Sequence, residues 1–187
     1  MRVFVRSEAE ASEVKMLTAA VIAEKCGAPS QNVASNWPLI TAALAELVIH
    51  SDLVEIAAAA TVGTEVPHFE PIAEMGGPEY LSRYDGRADL GNDILGDGER
   101  YKGRGFVQLT GRGNYRAAGQ ALGLNLEADP DQAMEPATAA RVLAWFFKTR
   151  HIDAAANTRD WQLVRRRVNG GLNGWPRFSA LVEALNG

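Results

Sequence analysis

The sequence predicts a mainly α (α+β) fold, a helical domain with one small β-sheet lining a cleft. Three observations lead there. Apolar residues recur at helical spacing through most of the chain, while a single run, Phe106-Val107-Gln108-Leu109-Thr110, alternates as a strand does. Between them, from about Pro67 to Lys102, lies a stretch rich in glycine and charge with no sustained period. A long irregular segment of that kind inside a compact domain is more often functional than incidental. At 187 residues, 47% hydrophobic and 22% charged, the chain can form one domain with a proper core, or one domain built as two lobes around a cleft.

Residues 1–15, polar and carrying Glu8, Glu10 and Glu13, read as a loose extension before a single domain over 16–187. Helical patterning begins near Met16 and stops at Gly27. Asn36 is expected to cap a helix with Pro38 in its first turn, continuing through Leu39, Ile40, Ala43, Leu44 and Leu47. Asp52 is expected to cap the next, which carries Val54, Ile56, four alanines and Val62, delivers Glu65 near its end and is stopped by Pro67. Gly103 and Gly105 let the chain bend before the 106–110 strand. On that strand Gln108 and Thr110 would face one side and Val107 and Leu109 the other, a polar surface over an apolar one that suits a cleft floor; a half-solvated edge hairpin fits the same residues. A helix from about Asn114 to Leu122, a turn at 128–131 and a strong helix from Pro136 to Arg150 follow. Two more are expected near 160–168 and 175–185, with Arg165-Arg166-Arg167 on the exposed side of the first.

The net charge of −4 gives no general drive toward nucleic acid or anionic lipid. Cys26 is the sole cysteine, so packing without an intrachain disulfide must hold the fold, as suits a reducing cytoplasm. The apolar stretch after Met1-Arg2 is too short for a signal peptide, and no segment approaches the ~20 apolar residues of a membrane span. The expectation is a monomer made in a bacterial (host) cytoplasm without a signal peptide. His50, His68 and His151 are too scattered for a helical metal motif, the oxygen-rich 89–97 stretch does not fit a calcium loop, and no nucleophile elbow or phosphate-binding loop is present. No cofactor and no metal are expected.

The run from Tyr101 to Tyr115, YKGRGFVQLTGRGNY, resembles the central signature of glycoside hydrolase family 19, the chitinases and phage endolysins. In that family a Y-x-G-R-G-x-x-Q-L-[ST] segment is followed four positions on by Asn-Tyr. The matching residues are Tyr101, Gly103, Arg104, Gly105, Gln108, Leu109, Thr110, Asn114 and Tyr115. The family's glutamate at a helix end, and the second glutamate nine positions later in its compact bacterial and phage members, correspond to Glu65 and Glu74. Its Asn-Gly-Gly turn and following arginine correspond to Asn169-Gly170-Gly171 and Arg177. The resemblance spans about Ile56 to Phe178 in four ordered signatures, and it implies a lysozyme-like, two-lobed helical fold.

Breaking a glycosidic bond needs a proton for the leaving oxygen and either a nucleophile or an activated water, which two carboxyl groups in different surroundings supply. Glu65 follows an apolar, alanine-rich helix, surroundings that suit an acid; Glu74 lies in a polar loop where a cation such as Arg177 could keep it ionised, which suits a base. The resemblance implies the same assignment, with inversion of configuration and Thr110 holding the attacking water. It further implies that Gln108, Asn114 and Asn169 bind N-acetyl or hydroxyl groups of the glycan and that Tyr101 and Tyr115 frame the cleft. Plainer roles fit some of these residues: Asn114 as a helix cap and Asn169-Gly170-Gly171 as a helix stop.

Two positions depart from the family pattern. The acid is flanked as Thr64-Glu65-Val66, where most members have serine or threonine after it, and Asn173 stands where chitinase members have a glutamate supporting the arginine. The expected function is an endolysin-type hydrolase cutting the β-1,4-linked amino-sugar backbone of bacterial peptidoglycan after another component releases it to the wall. The alternatives are a chitinase acting on chitin oligomers and, from a different class, an inactive cell-wall-binding module, which Val66 and Asn173 keep open.

Overall fold

The computed structural model describes residues 17–187; the expected extension over 1–15 and the helix start at Met16 lie outside the described residues. Helix α1 (Ala19–Cys26) is capped by the Thr18 hydroxyl, which accepts the Val21 N–H, and ends at Gly27 with φ 64°. Helix α2 (Ser30–Glu46) begins six residues before the expected cap. Asn36 is therefore no cap. It is buried within α2 and donates its amide to the Phe69 carbonyl at 2.8 Å, tying this helix to the chain beyond the next one. Helix α3 (Asp52–Glu65) is capped by Ser51, one residue before the expected Asp52, through a 3.3 Å bond from the Val54 N–H to Ser51 Oγ.

Helix α3 is the axis of the core. Ala57 to Ala60 are fully buried, and their small side chains admit helices from several sides. At Gly63 an added Cβ would lie 3.0 Å from Leu181 Cδ1 and 3.1 Å from Cys26 Sγ, so two neighbouring helices close onto the backbone there.

Strand β1 (Ile72–Ala73) pairs antiparallel with β2 (Arg104–Gly105), Ile72 opposite Gly105 and Ala73 opposite Arg104. The irregular segment between them holds two short helices, α4 (Pro78–Leu81) and α5 (Asp97–Arg100), and two 3-10 turns. The expected strand over 106–110 is not formed. The chain turns back after Gly105 at φ 78°, passes Gln108 at φ 52°, and returns so that Leu109 and Arg104 exchange backbone hydrogen bonds of 2.9 and 3.2 Å. Phe106 and Val107 are adjacent yet both buried, an arrangement a turn allows and a strand with one solvated face does not.

Helices α6 (Arg112–Leu122), α7 (Pro136–Thr149), α8 (Ile152–Asn157), α9 (Trp161–Asn169) and α10 (Trp175–Asn186) complete the body. Here α8 is a separate helix that the sequence pattern did not separate, set off from α7 by His151 at φ 53°. Helix α7 packs on α2, and α10 and α8 pack on α3. Among the described residues no helix is long and apolar enough to cross a membrane. With its small two-stranded sheet, this is the expected mainly helical, lysozyme-like class of fold.

Buried polar groups fix the irregular segment to α6. Asn92 donates to the Tyr84 carbonyl at 2.9 Å and accepts the Arg112 N–H at 2.8 Å. Asp97, also buried, pairs with the Arg112 guanidinium and accepts the Ile94 N–H at 3.1 Å. Burial opposes its ionisation, but the hydrogen bonds from Arg112 and Ile94 outweigh that and hold its carboxyl below the usual aspartate range.

Candidate active site

Glu74 leaves β1 directly opposite Gly103. Its N–H donates to the Gly103 carbonyl at 2.7 Å, and its carboxylate turns back to accept the Gly103 N–H at 3.2 Å. The other carboxylate oxygen accepts the Tyr84 hydroxyl at 3.0 Å, with Arg83 3.8 Å away. The cation beside Glu74 is thus Arg83, supplied by the irregular segment. The expected partner, Arg177, instead donates Nε to the Gly63 carbonyl at 2.8 Å and joins α10 to the end of α3.

Gly103 also brings the 108–110 turn to Glu74. A Cβ at this position would meet Gln108 Oε1 at 2.8 Å and Thr110 Oγ1 at 3.2 Å, so a glycine is needed for these groups to gather. The Gln108 amide donates to the Ile72 and Gly105 carbonyls at 3.0 and 3.1 Å, stapling the sheet and leaving Oε1 as its spare acceptor. Thr110 donates its hydroxyl hydrogen to the Gln108 carbonyl at 2.9 Å. Asn114 is not the cap of α6, which is Gly111; it lies inside the helix and donates its side-chain amide to the Thr110 carbonyl at 2.7 Å. Gln108, Thr110 and Asn114 line a cavity of about 460 Å³ whose opposite wall includes Asn169 and Gly170 at the end of α9.

Glu65, the last residue of α3, is held by Arg165 of α9 through a hydrogen-bonded ion pair to Oε1. Arg165 is 3% exposed, so the basic run at 165–167 is not wholly a solvated face. Its Nε donates to the Asn173 carbonyl at 2.6 Å. The family's glutamate at position 173 supports an arginine near the base, whereas here the Asn173 backbone supports Arg165 beside Glu65. Asn169 reinforces that turn, donating to the same carbonyl at 2.8 Å and accepting the Gly171 N–H at 3.0 Å. Glu65 is therefore bound to a cation and not seated in a purely apolar pocket, although Val66 beside it is buried.

Tyr101 and Tyr115 do not frame the cleft. They are 2% and 0% exposed, with rings 5.5 Å apart in the core and hydroxyls bound to the Glu127 and Lys102 carbonyls. Burial pushes the Tyr115 hydroxyl up to about 12. Tyr115 supports Arg104, whose guanidinium binds Asp131, the Arg100 and Lys102 carbonyls and the Tyr115 hydroxyl behind the sheet. The signature's aromatic ends thus build the platform beneath Gly103. Among the described residues no three of His, Cys, Asp and Glu converge to hold a metal ion.

The arrangement missed from the sequence consists of Arg83, Tyr84 and the Gly103 N–H around one carboxylate and Arg165 around the other. Arg165 had a readable signal, since Trp161, Val164, Arg165 and Val168 lie at i, i+3, i+4 and i+7 and share one helix face. The groups around Glu74 had none, because turns of the irregular segment bring them there.

A family model for glycosyl hydrolase family 19, described as chitinase class I, matches residues 86–162, which contain the 101–115 signature. A glycosyl hydrolase family 19 domain-containing protein of Haemophilus influenzae is 34% identical over 110 residues, 58% of this chain and 53% of that protein. An endochitinase of Arabidopsis thaliana is 35% identical over 48% of this chain and 31% of its own length. The chain thus spans about half or less of the length of these relatives. In fold it is similar to a bacterial family 19 chitinase, with TM-score 0.69 at 22% identity over 90% of this chain and 94% of that one. Chitinase C of Streptomyces griseus gives TM-score 0.66 at 21% identity over 91% of this chain and 76% of that one. The signature, the family model matched over residues 86–162, the named relatives and the shared fold together show that the chain resembles glycoside hydrolase family 19.

Proposed function

We propose that this protein is an inverting glycosidase that hydrolyses the β-1,4-linked amino-sugar backbone of bacterial peptidoglycan. The observation that carries the reading is that both carboxylates are tied to the walls of one cavity. Neither glutamate lines that cavity; Glu74 is linked to its Gln108 and Thr110 wall through the Gly103 backbone, and Glu65 to its Asn169 and Gly170 wall through Arg165 of α9.

In this reading Glu65 is the acid. Arg165 engages Oε1, so Oε2 carries the proton to the glycosidic oxygen as the bond to the anomeric carbon breaks. The Glu65 anion left behind is stabilised by the guanidinium already in place. Glu74 takes a proton from water as the water oxygen bonds to the anomeric carbon from the opposite face. The Thr110 oxygen, its own hydrogen committed to Gln108, accepts the second water hydrogen and aims the nucleophile. The nine-residue spacing of the two glutamates, similar to compact bacterial and phage members, and the lack of any cysteine pair favour peptidoglycan over plant-style chitin hydrolysis. The relatives named as chitinases favour the second reading, hydrolysis of chitin oligomers.

Purified peptidoglycan and chitin oligomers, each incubated with the protein, test the two. Mass spectrometry should find new reducing ends on peptidoglycan, and NMR of the first product should show the α anomer, as expected for carboxyl groups about 6.5–9.5 Å apart. Glu65→Gln should fold normally and abolish both signals. Reducing ends from chitin alone would reverse the substrate assignment, and an early β anomer would rule out inversion.

A further inference from the structure

Beyond the acid, base and water-holding groups, one charged side chain on the cavity wall has no partner among the described residues. Arg150 follows the end of α7 and lies with its guanidinium 4.1 Å from the centroid of the Phe146 ring, and both residues line the cavity that holds Gln108, Thr110 and Asn114. The acidic residue on that wall, Asp89, is already bound by Arg87 through two hydrogen bonds of 2.5 and 2.7 Å. The cavity therefore presents a free cation and a neutralised anion. The outer edge of Arg150 is solvated, yet the surrounding protein desolvates the group enough to lower its pKa, as expected of a guanidinium whose water has been partly removed without a counter-charge in return. Its guanidinium carbon sits over the Phe146 ring and its N–H groups make no hydrogen bond among the described residues, so they are open to a planar anion, which arginine takes with two parallel hydrogen bonds.

A neutral chitin chain offers such a group only hydroxyls and acetamides. In peptidoglycan every second sugar bears a lactyl arm on its 3-oxygen. That arm ends in a carboxylate on a peptide-free strand and otherwise continues into a stem peptide that carries carboxylates of its own. We propose that Arg150 is a specificity-determining residue of this cleft, taking a carboxylate borne on the 3-O side arm of a muramic acid unit. The proposal rests on the peptidoglycan reading above and names the group by which that substrate would be told from chitin.

Binding measured without turnover tests it. In the Glu65→Gln background, calorimetry would compare four ligands: chitotetraose, the peptide-free tetrasaccharide of alternating N-acetylglucosamine and N-acetylmuramic acid, that tetrasaccharide with its lactyl carboxylates converted to amides, and the same chain bearing stem peptides. At least one carboxylate ligand should bind roughly tenfold more tightly than chitotetraose. Adding Arg150→Gln should erase that preference and leave chitotetraose affinity within about twofold, whereas Arg150→Lys should retain part of it. Tighter binding of the peptide-free ligand that disappears on amidation assigns the lactyl carboxylate; tighter binding of the peptide-bearing chain alone assigns the stem. Equal affinity for all four ligands, or an equal loss for chitotetraose and the carboxylate ligands in a folded Arg150→Gln protein, would overturn the proposal. Wild-type hydrolysis of chitin alone, with the carboxylate preference intact, would sink the peptidoglycan reading and leave the Arg150 site standing.

Discussion

Thr110 shows how a single hydroxyl can serve a reaction without giving up its hydrogen. Because that hydrogen is bound to the Gln108 carbonyl at 2.9 Å, the oxygen meets the cavity as an acceptor, which is what a water needs if its other hydrogen is to leave toward Glu74. Thr110→Val keeps the shape and removes the acceptor. It should lower kcat by about tenfold to a hundredfold with KM little changed, because the oriented water matters chiefly in the transition state. Thr110→Ser should retain most of the rate. Steady-state kinetics at equal folded concentration decide it: equal kcat for Thr110→Val and wild type would reduce the residue to part of the turn's packing. The position of Thr110 was legible in the signature, while its partners were not, since Gly103, Gln108 and Thr110 meet through a turn with two residues at positive φ.

At the scale of the element, α9 connects the acid to the cavity wall. It presents Arg165 to Glu65, ends at the Asn169 turn, and receives the Asn173 carbonyl back onto the same guanidinium. Arg165→Gln should cost about 2 kcal/mol by removing charge-assisted hydrogen bonds from a buried position, a fall in Tm of roughly 4–8 °C. It should also lower kcat more than it raises KM, since the Glu65 anion formed during proton transfer loses its partner. Arg165→Lys should recover part of the rate and little of the stability, because an ammonium cannot span both Glu65 and Asn173. Melting and kinetics on the pair test this; a loss of Tm with unchanged kcat would confine Arg165 to holding the turn. The longer helices are readable from apolar spacing, but the sequence reading puts Arg165 on the exposed side of α9, where the structure buries it together with Val168. The 106–110 turn is not readable this way, because its alternation of residue types resembles a strand while Gly105 and the burial of both Phe106 and Val107 require a turn.

Across the whole molecule, the helical body forms around buried apolar faces, whereas the irregular segment that carries Tyr84 and Arg83 to Glu74 is fastened mainly by polar groups. The body was therefore legible from hydrophobic periodicity and the segment was not, because hydrogen bonds such as those of Asn92 and Asp97 leave no period in a sequence. The same difference predicts how acid should affect the protein. The folded state lowers the pKa of Asp97, so its contribution is fully present above the ordinary aspartate value of about 4 and is lost as the pH falls toward and through the lower folded value. Glu127, drawn down by its hydrogen bonds from Arg116, adds a weaker contribution of the same sign from the more exposed end of α6. Asp97→Asn keeps an acceptor for the Ile94 N–H but removes the charge that Arg112 binds. At pH 7 the variant should melt several degrees below wild type, and the gap should narrow as the pH is lowered below about 4, where wild type also loses the anion. Melting curves at intervals from pH 7 down to about 2.5 provide the check, and activity at pH 7 supplies a second readout, because loosening this segment moves Tyr84 and Arg83 away from Glu74. A gap in Tm that stays constant across the range would mean that the Asp97 and Arg112 pair does not set the acid response, and that the segment is held by its neutral hydrogen bonds.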